Sequence, residues 1–541
     1  RVTVGADAGG TVTAVDVWKK TGETVSFTAT PEDGYMFAGW IGNLPDEQDR
    51  HNPSVEMTVG AEPVALTAAF ESAEEPPAVY LKADATGTGT GRGWANAYTD
   101  VSNAIYAAVA AGKPLHVAQG VYIISKTIPL PKGFKVYGGF PGRSVSETMA
   151  DRDPARYQTI FTGDRDLDDV WRHYEPNTSF GMTTTDLAEP VIKDGRINEP
   201  PAFTGAYDGY CAKHNGTNTS IAFKGSSGWG EMNGVTISGF TSPGSGDGYS
   251  VVNLTGASGG VYTFNDVRFT GNRGGYGTVY MNGSHASKFW NCRFEYEWSG
   301  ARGGGITVHS GTCGDNISNC VFKCVSKTAA DGGMIFNGWG GGVTARNCTI
   351  TRCCQASGTS WQSMYGGAGL IYCSESGGVC YLYDCVMSNN WCATSSGYGP
   401  SFFAGRGTTR WRRCVFSRNV AEAKPTAGKA FSMIAANEDT GKPYRAFEAC
   451  TFEGNVMRAR EVAATSGGYA LGIIGNNVQG ADSTLLNCSF KDNVAETAVE
   501  KAGVTPVLCR GVLTYAPVSG QTDETGLANC TFLGPKTNMY D

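Results

Sequence analysis

Cys450-Thr451-Phe452-Glu453-Gly454-Asn455 is one copy of a phrase that recurs ten times between Val235 and Phe532. The phrase is a small or polar residue, then Cys or Val, then any residue, then a large apolar one. Val235, Val267, Cys292, Cys320, Cys348, Cys385, Cys414, Cys450, Cys488 and Cys530 fill the Cys/Val slot in turn. Two residues later stand Ile237, Phe269, Phe294, Phe322, Ile350, Met387, Phe416, Phe452, Phe490 and Phe532. Two residues is the strand period, so slot and apolar residue share the inner side of a short strand. The residue between them, such as Arg293, Thr349, Thr451 or Ser489, faces out.

Successive slots lie 32, 25, 28, 28, 37, 29, 36, 38 and 42 residues apart, by subtraction. A repeat of that length carrying only strand-sized apolar patches predicts a solenoid whose coils stack on one another. Five residues after the slot come Asn272, Asn390, Asn419, Asn455 and Asn493, suited to a turn and to hydrogen bonding along a stack. Gly-rich steps such as Gly303-Gly304-Gly305-Ile306 and Gly340-Gly341-Gly342-Val343 precede a second apolar run, and we expect them to supply positive φ at a corner. The fold class this predicts is all-β: a right-handed parallel β-helix.

Working outward, Trp94-Ala95-Asn96-Ala97-Tyr98 precedes a predicted helix capped by Thr99 or Asp100, with a face of Val101, Ile105, Ala108 and Val109. Such a helix can cover the exposed edge of a first coil. Residues 1–72 read as a separate small β repeat domain, with alternating strands and the turn Pro31-Glu32-Asp33-Gly34. Residues 73–78 are a charged, Pro-containing linker, and 79–541 form the β-helix. Within it, 79–164 hold the cap and first coils, 165–220 a polar loop insertion expected to project from the solenoid, and 221–541 the regular coils.

Gly34-Tyr35 through Gly39-Trp40, closed by Ala69-Phe70, resembles the divergent internalin B-type repeat of bacterial surface proteins. That resemblance implies a non-catalytic spacer. Trp40 reads as a core tryptophan, with a sugar-stacking platform as the other reading. Trp94 to Asp100, Tyr137-Gly138-Gly139-Phe140-Pro141-Gly142 and Arg152-Asp153-Pro154 resemble the amino-terminal segment of secreted bacterial right-handed β-helix proteins. Phe416-Ser417-Arg418-Asn419 and its copies, with Gly303 to Ile306, resemble signatures of polymorphic membrane proteins, which implies an adhesin-like, secreted or cell-surface protein.

The net charge is 43 − 50 = −7, which argues against nucleic acid and anionic membrane surfaces as partners. No apolar run is long enough to span a bilayer. Both ends read as cuts in a longer protein. Of 17 cysteines, eight fill slots, where we expect mostly free thiols; Cys324, Cys353, Cys354 and Cys392 are candidates for one or two disulfides between coils. The six histidines show no zinc spacing.

Asp164, Asp166, Asp168 and Glu175 resemble a calcium loop, with Asp169 where such loops carry glycine. Bound calcium and a solvated acidic loop are the two readings. Trp290, Trp298, Trp339, Trp361, Trp391 and Trp411 concentrate in the middle coils, either as a carbohydrate- or protein-binding patch or as cover for the coil stack. No catalytic motif of polysaccharide-cleaving enzymes is present. His309, Asp331, Glu295, Glu297 and Arg302 are the groups to which a cleaving site would fall.

The function expected is therefore non-catalytic: adhesion, glycan or protein binding, or the building of an extracellular fibre. Its partner would be an extracellular glycan, a surface protein, or neighbouring copies of the same long protein. The alternative is a polysaccharide lyase or glycoside hydrolase of the pectate-lyase-like β-helix type.

Overall fold

A computed structural model describes the chain outside residues 14, 46–47, 51, 73–75, 144–146, 178, 180, 243–248, 256–259, 284–286, 310, 328–334, 339–340, 358–369, 374–378, 395–401, 406–407, 424–429, 437–443, 460–469, 477–481, 498–508, 516–524 and 534–541. The described residues form two compact units.

The first unit holds Arg1–Tyr122, Pro131–Phe161 and Gly230–Val235. Its amino-terminal part is a small β domain, with strand Val2–Ala6 between Val15–Val17 and Val64–Ser72, and Tyr35–Gly42 beyond. Alternation puts Val2, Phe27, Met57, Leu66 and Phe70 in one core. Trp40 is at its centre, edge-on to Phe27 at 4.9 Å, with its indole N–H donating to Asn52 O at 2.9 Å. It is a core residue and offers no ring to a sugar.

In the same unit a helix spans Val101–Ala110, and the Asp100 side chain accepts from Asn103 N at 2.8 Å to cap it. Its buried face is Val101, Ala104, Ile105 and Ala108, so Ala104 takes the inward place expected of Val109. That face packs on strands Val79–Leu81, Leu115–Ala118 and Phe134–Phe140.

In the second unit the phrase does what its period dictates. One coil comprises Lys288–Trp290, Arg293–Glu295, Trp298–Gly303 and Ile306–Val308, and each strand pairs in parallel with its counterpart in the next coil. Register is strict: Phe269 lies beside Phe294 and Phe294 beside Phe322, with ring centroids 4.7 and 4.8 Å apart, the spacing of paired strands.

The small or polar residue before the slot has a backbone reason. Asp266, Asn291, Asn319, Asn347, Asp384, Asn487 and Asn529 all have φ between 51° and 56°, the left-handed region these side chains tolerate best. Arg413 and Ala449 adopt it too. A second left-handed residue, for example Gly271, Tyr296, Asn389 or Gly454, stands four residues after the slot wherever that position is described. These two positions are the sharp corners. The expectation that Gly303 to Gly305 supply positive φ fails: none of the three has it, and their need is closeness, since a Cβ on Gly305 would lie 2.8 Å from Ile335 O.

The asparagines form the expected stack. Asn390 Nδ2 donates to Asn419 Oδ1 at 2.9 Å, Asn419 to Asn455 at 2.9 Å and Asn455 to Asn493 at 2.8 Å. Slot thiols stack alongside, each donating to a carbonyl of the preceding coil, as Cys414 does to Leu382 O and Cys450 to Trp411 O, both at 3.3 Å. Every described cysteine is a free thiol, including Cys324, Cys353, Cys354 and Cys392, so the expected disulfides do not form.

The insertion is a folded layer and not a projecting loop. Val170–Pro176 is flanked by Met182–Pro190 and Gly209–Lys213 in an antiparallel sheet. Tyr174 and Cys211 pack with Cys354, Ala356 and Trp391 of the coils. Burying these apolar groups favours the docked state over a solvated loop.

Candidate binding face

The first strand of each coil sets the candidate site. Three residues before the slots from Val267 to Cys488 stand Phe264, Phe289, Ile317, Ala345, Leu382, Trp411, Phe447 and Leu485, all buried. By strand parity, the residues on either side of each point outward. On four consecutive coils the outer positions of Val379–Tyr383, Thr408–Arg412, Tyr444–Glu448 and Asp482–Leu486 hold Tyr381, Tyr383, Arg410, Arg412, Ala446, Glu448, Thr484 and Leu486.

Register arranges these in two rows. Arg346, Tyr383, Arg412, Glu448 and Leu486 follow one another across the stack, and beside them run Tyr381, Arg410, Ala446 and Thr484. The Arg346 guanidinium lies 4.1 Å from the Tyr383 ring centroid, and Arg410 lies 5.9 Å from that of Tyr381. Arg412 pairs with Glu448 at 3.3 Å. Arg413 grips Asp384 through two hydrogen bonds of 2.5 and 2.6 Å and holds its carboxyl below the usual range. Arg410 is exposed and makes no ion pair with a described residue. Tyr383, Arg410, Arg412, Phe447, Glu448, Thr484 and Leu486 help to line an open pocket of about 290 Å³.

This face differs from the tryptophan patch expected. Trp290 is on the same outer row and exposed, with Lys288 Nζ 5.2 Å from its ring. Trp411 is buried inside the coil, its N–H on Thr409 Oγ1 at 2.8 Å. Trp391 is buried under the insertion, its N–H on Glu422 at 3.0 Å, and Trp298 packs in the same cluster. Trp391 and Trp411 are thus both buried, Trp411 on an inward position of its strand and Trp391 on an outer position that the insertion covers. Trp339 and Trp361 lie outside the described residues or their side chains.

The candidate calcium set is split. Oxygens of Asp164, Asp168 and Asp169 lie within 4.8 Å of one another and are the residues that could hold a metal. Asp164 is buried and accepts from the backbone N–H of Asp169 at 3.1 Å; burial and the nearby Asp169 charge raise its carboxyl above the usual range. Asp169 accepts from Asn215 N at 2.8 Å and Asn218 Nδ2 at 3.0 Å and lies 2.8 Å from His214 Nδ1. Asp166 turns instead to Thr217 N at 3.0 Å. Glu175 is carried off along Val170–Pro176, where it is exposed opposite Thr183. It is six residue steps along extended chain from Asp169, a distance of about 20 Å.

Nor do the described groups named for a cleaving site converge in the open. Glu295 is buried, between Arg268 at 2.9 Å and Arg293 at 2.6 Å. Glu297 is buried at the asparagine step of its coil, where Asn272 Nδ2 donates to it at 3.0 Å. His309 lies beside Tyr280, with ring centroids 5.9 Å apart. Asp331 and the Arg302 side chain lie outside the described residues.

Fold and face together define a right-handed parallel β-helix preceded by a small β repeat. Residues 250–440 match the family described as a right handed beta helix region, and residues 1–74 match the divergent InlB B-repeat domain. No curated protein matches the chain. Among solved structures, the catalytic domain of a GH87 alpha-1,3-glucanase is similar at 10% identity and a TM-score of 0.35, over 92% of this chain and 91% of that one. The tailspike protein gp49 from Pseudomonas phage LKA1 is similar at 14% identity and 0.27, over 80% and 74%. The A-module of Azotobacter vinelandii mannuronan C-5 epimerase AlgE6 is similar at 10% and 0.26, over 77% and 95%. Likeness at this level carries no argument about what this chain binds.

Proposed function

We propose that this chain is a non-catalytic, glycan-binding segment of an extracellular protein, and that the outer face around Tyr381, Tyr383, Arg410 and Arg412 is its binding surface. The observation that carries the reading is the pairing of tyrosine rings with guanidinium groups on consecutive coils around an open pocket. Aromatic rings stack on the apolar faces of sugars while polar groups beside them fix orientation. The match of residues 1–74 to a repeat of bacterial surface type supports an extracellular setting. Among the described residues no helix is long and apolar enough to cross a membrane. The two acids described on the face, Asp384 and Glu448, are held by arginines, which favours binding over hydrolysis by a carboxylate pair.

The test is retention on immobilised xylan, dextran, alginate and polygalacturonate, with Tyr381→Ala/Tyr383→Ala as the control and release of new reducing ends followed in parallel. Retention of the native chain, weakened in the double variant, supports the reading. Any release of reducing ends overturns its non-catalytic part, and absence of retention overturns the rest.

A further inference from the structure

Resting on that reading, we infer that the face takes a linear acidic polysaccharide laid across the strands, with its carboxylate or sulfate groups on Arg346, Arg410 and Arg412.

Charge is the first argument. The chain as a whole carries −7, yet the described side chains of this face gather Arg346, Arg410, Arg412 and Arg413 against Asp384 and Glu448, a balance among them of 4 − 2 = +2. A positive patch on an acidic protein steers anions to one place and repels them elsewhere.

The cations of the two outer rows on these coils are arginines, whose planar forks match a carboxylate or sulfate through two parallel hydrogen bonds. Two of them are already ordered against rings, Arg346 on Tyr383 and Arg410 beside Tyr381, so less side-chain freedom is lost when an anion binds. Arg410 has no protein carboxylate among the described residues, and its donors are available to a ligand.

Spacing is the third argument. Strands recur about every 4.8 Å across the stack, close to the advance per sugar of an extended polysaccharide. Arg346, Tyr383 and Arg412 occupy one outer row on three successive coils. A polymer with a charge on each sugar therefore meets guanidinium, ring and guanidinium in step. A neutral chain would match the rings and leave the cations idle.

The experiment measures affinity for polygalacturonate, neutral dextran and single-stranded DNA as salt is raised, in the native chain, Arg410→Ala/Arg412→Ala, Arg410→Lys/Arg412→Lys and Tyr381→Ala/Tyr383→Ala. Arg410 and Arg412 are exposed and Tyr381 and Tyr383 partly buried, so the arginine variants should keep the native melting temperature, and the tyrosine variant is compared at a temperature well below its own melting point. Polygalacturonate should bind with marked salt dependence, lose roughly tenfold in the arginine-to-alanine variant and recover only part of that with lysine. Dextran bound as tightly as polygalacturonate, with no effect of the arginine changes, overturns the acidic class and leaves glycan binding standing. DNA bound as tightly as polygalacturonate overturns it in favour of a general polyanion surface. No polymer bound overturns both readings.

Discussion

The Asp208 carboxylate, on the insertion, accepts a hydrogen bond of 3.1 Å from Arg352 Nη1, a coil residue 144 positions further along. The same carboxylate accepts from Thr204 N at 2.8 Å and lies 3.2 Å from His173 Nε2. Arg352 also donates to Gly205 O at 3.0 Å and stacks on Phe203 at 4.1 Å. One buried acid thus fastens the insertion to the coils and keeps Tyr207 over Cys354.

Removing that fastening should loosen the insertion and spare the solenoid. Asp208→Ala should cost about 1.5–3 kcal/mol locally, the worth of hydrogen bonds to a charged group. The readout is limited proteolysis: cleavage within residues 178–208 should accelerate while the β-sheet circular dichroism stays unchanged. Burial alone would raise the Asp208 carboxyl, but hydrogen bonds from the backbone of Thr204 and Gly205 and from His173 outweigh it and hold it below its usual range. Its contribution is therefore present at neutral pH and lost as pH falls below the ordinary aspartate value of 3.8. Equal cleavage rates in variant and native chains would refute the clasp.

The asparagine stack should be costly to interrupt. Asn419 donates to Met387 O at 3.0 Å and to Asn455 at 2.9 Å, and accepts from Asn390 N and Nδ2 at 3.1 and 2.9 Å, all in the buried interior. Asn419→Ala leaves several buried groups without partners and should destabilise by about 1–3 kcal/mol, read as a lower denaturant midpoint. Asn419→Asp should do worse, because it buries a charge beside the Asn455 oxygen.

The slot and its apolar partner were legible because one period governs both, and the stack enforces it at every coil. The inward position of Trp411 was equally legible: the residue three before each slot is apolar from Phe264 to Leu485, which would have excluded Trp411 from an exposed patch. The left-handed corner was partly hidden, since Arg413 and Ala449 fill it without the Asn, Asp or Gly that announces it elsewhere. The insertion was misread for a different reason. Tyr174 and Cys211 are buried by Cys354 and Trp391, partners so remote in sequence that no local pattern reveals them. The arginine and tyrosine face emerges only when register brings positions from separate coils side by side.

The thiols offer a test of the stack that needs no mutation. Burial pushes Cys211, Cys324 and Cys392 up to about 12, so almost none of their thiolate exists at pH 8. In the folded chain a thiol reagent should modify half-buried Cys530 before any other described cysteine, and after unfolding every described cysteine should react without prior reduction. Fewer free thiols on unfolding would reveal disulfides and contradict the structure.

Glu297 supplies the last prediction, because it puts a carboxyl where the preceding coil places the amide of Asn272. Burial is the largest influence and pushes this carboxyl up to about 8, against hydrogen bonds from the Thr278 hydroxyl and from Asn272 that favour the charged form. In the unfolded chain the same group titrates near 4.5, so between those values the folded state holds a proton that the unfolded state has released. Stability from this group is therefore full below about pH 4.5, falls as pH rises, and levels off above about 8. Glu297→Gln keeps the shape and removes the titration. Its oxygen can still accept from Asn272, and Thr278 can turn its proton to Gly304 O, already 3.0 Å away. Denaturant midpoints measured from pH 4 to 9 should coincide for the two proteins at the acid end and separate progressively, with the glutamine variant the more stable by pH 8. Parallel profiles would mean that the buried carboxyl does not govern the pH response, and that the ladder tolerates its charge through donors other than Asn272 and Thr278.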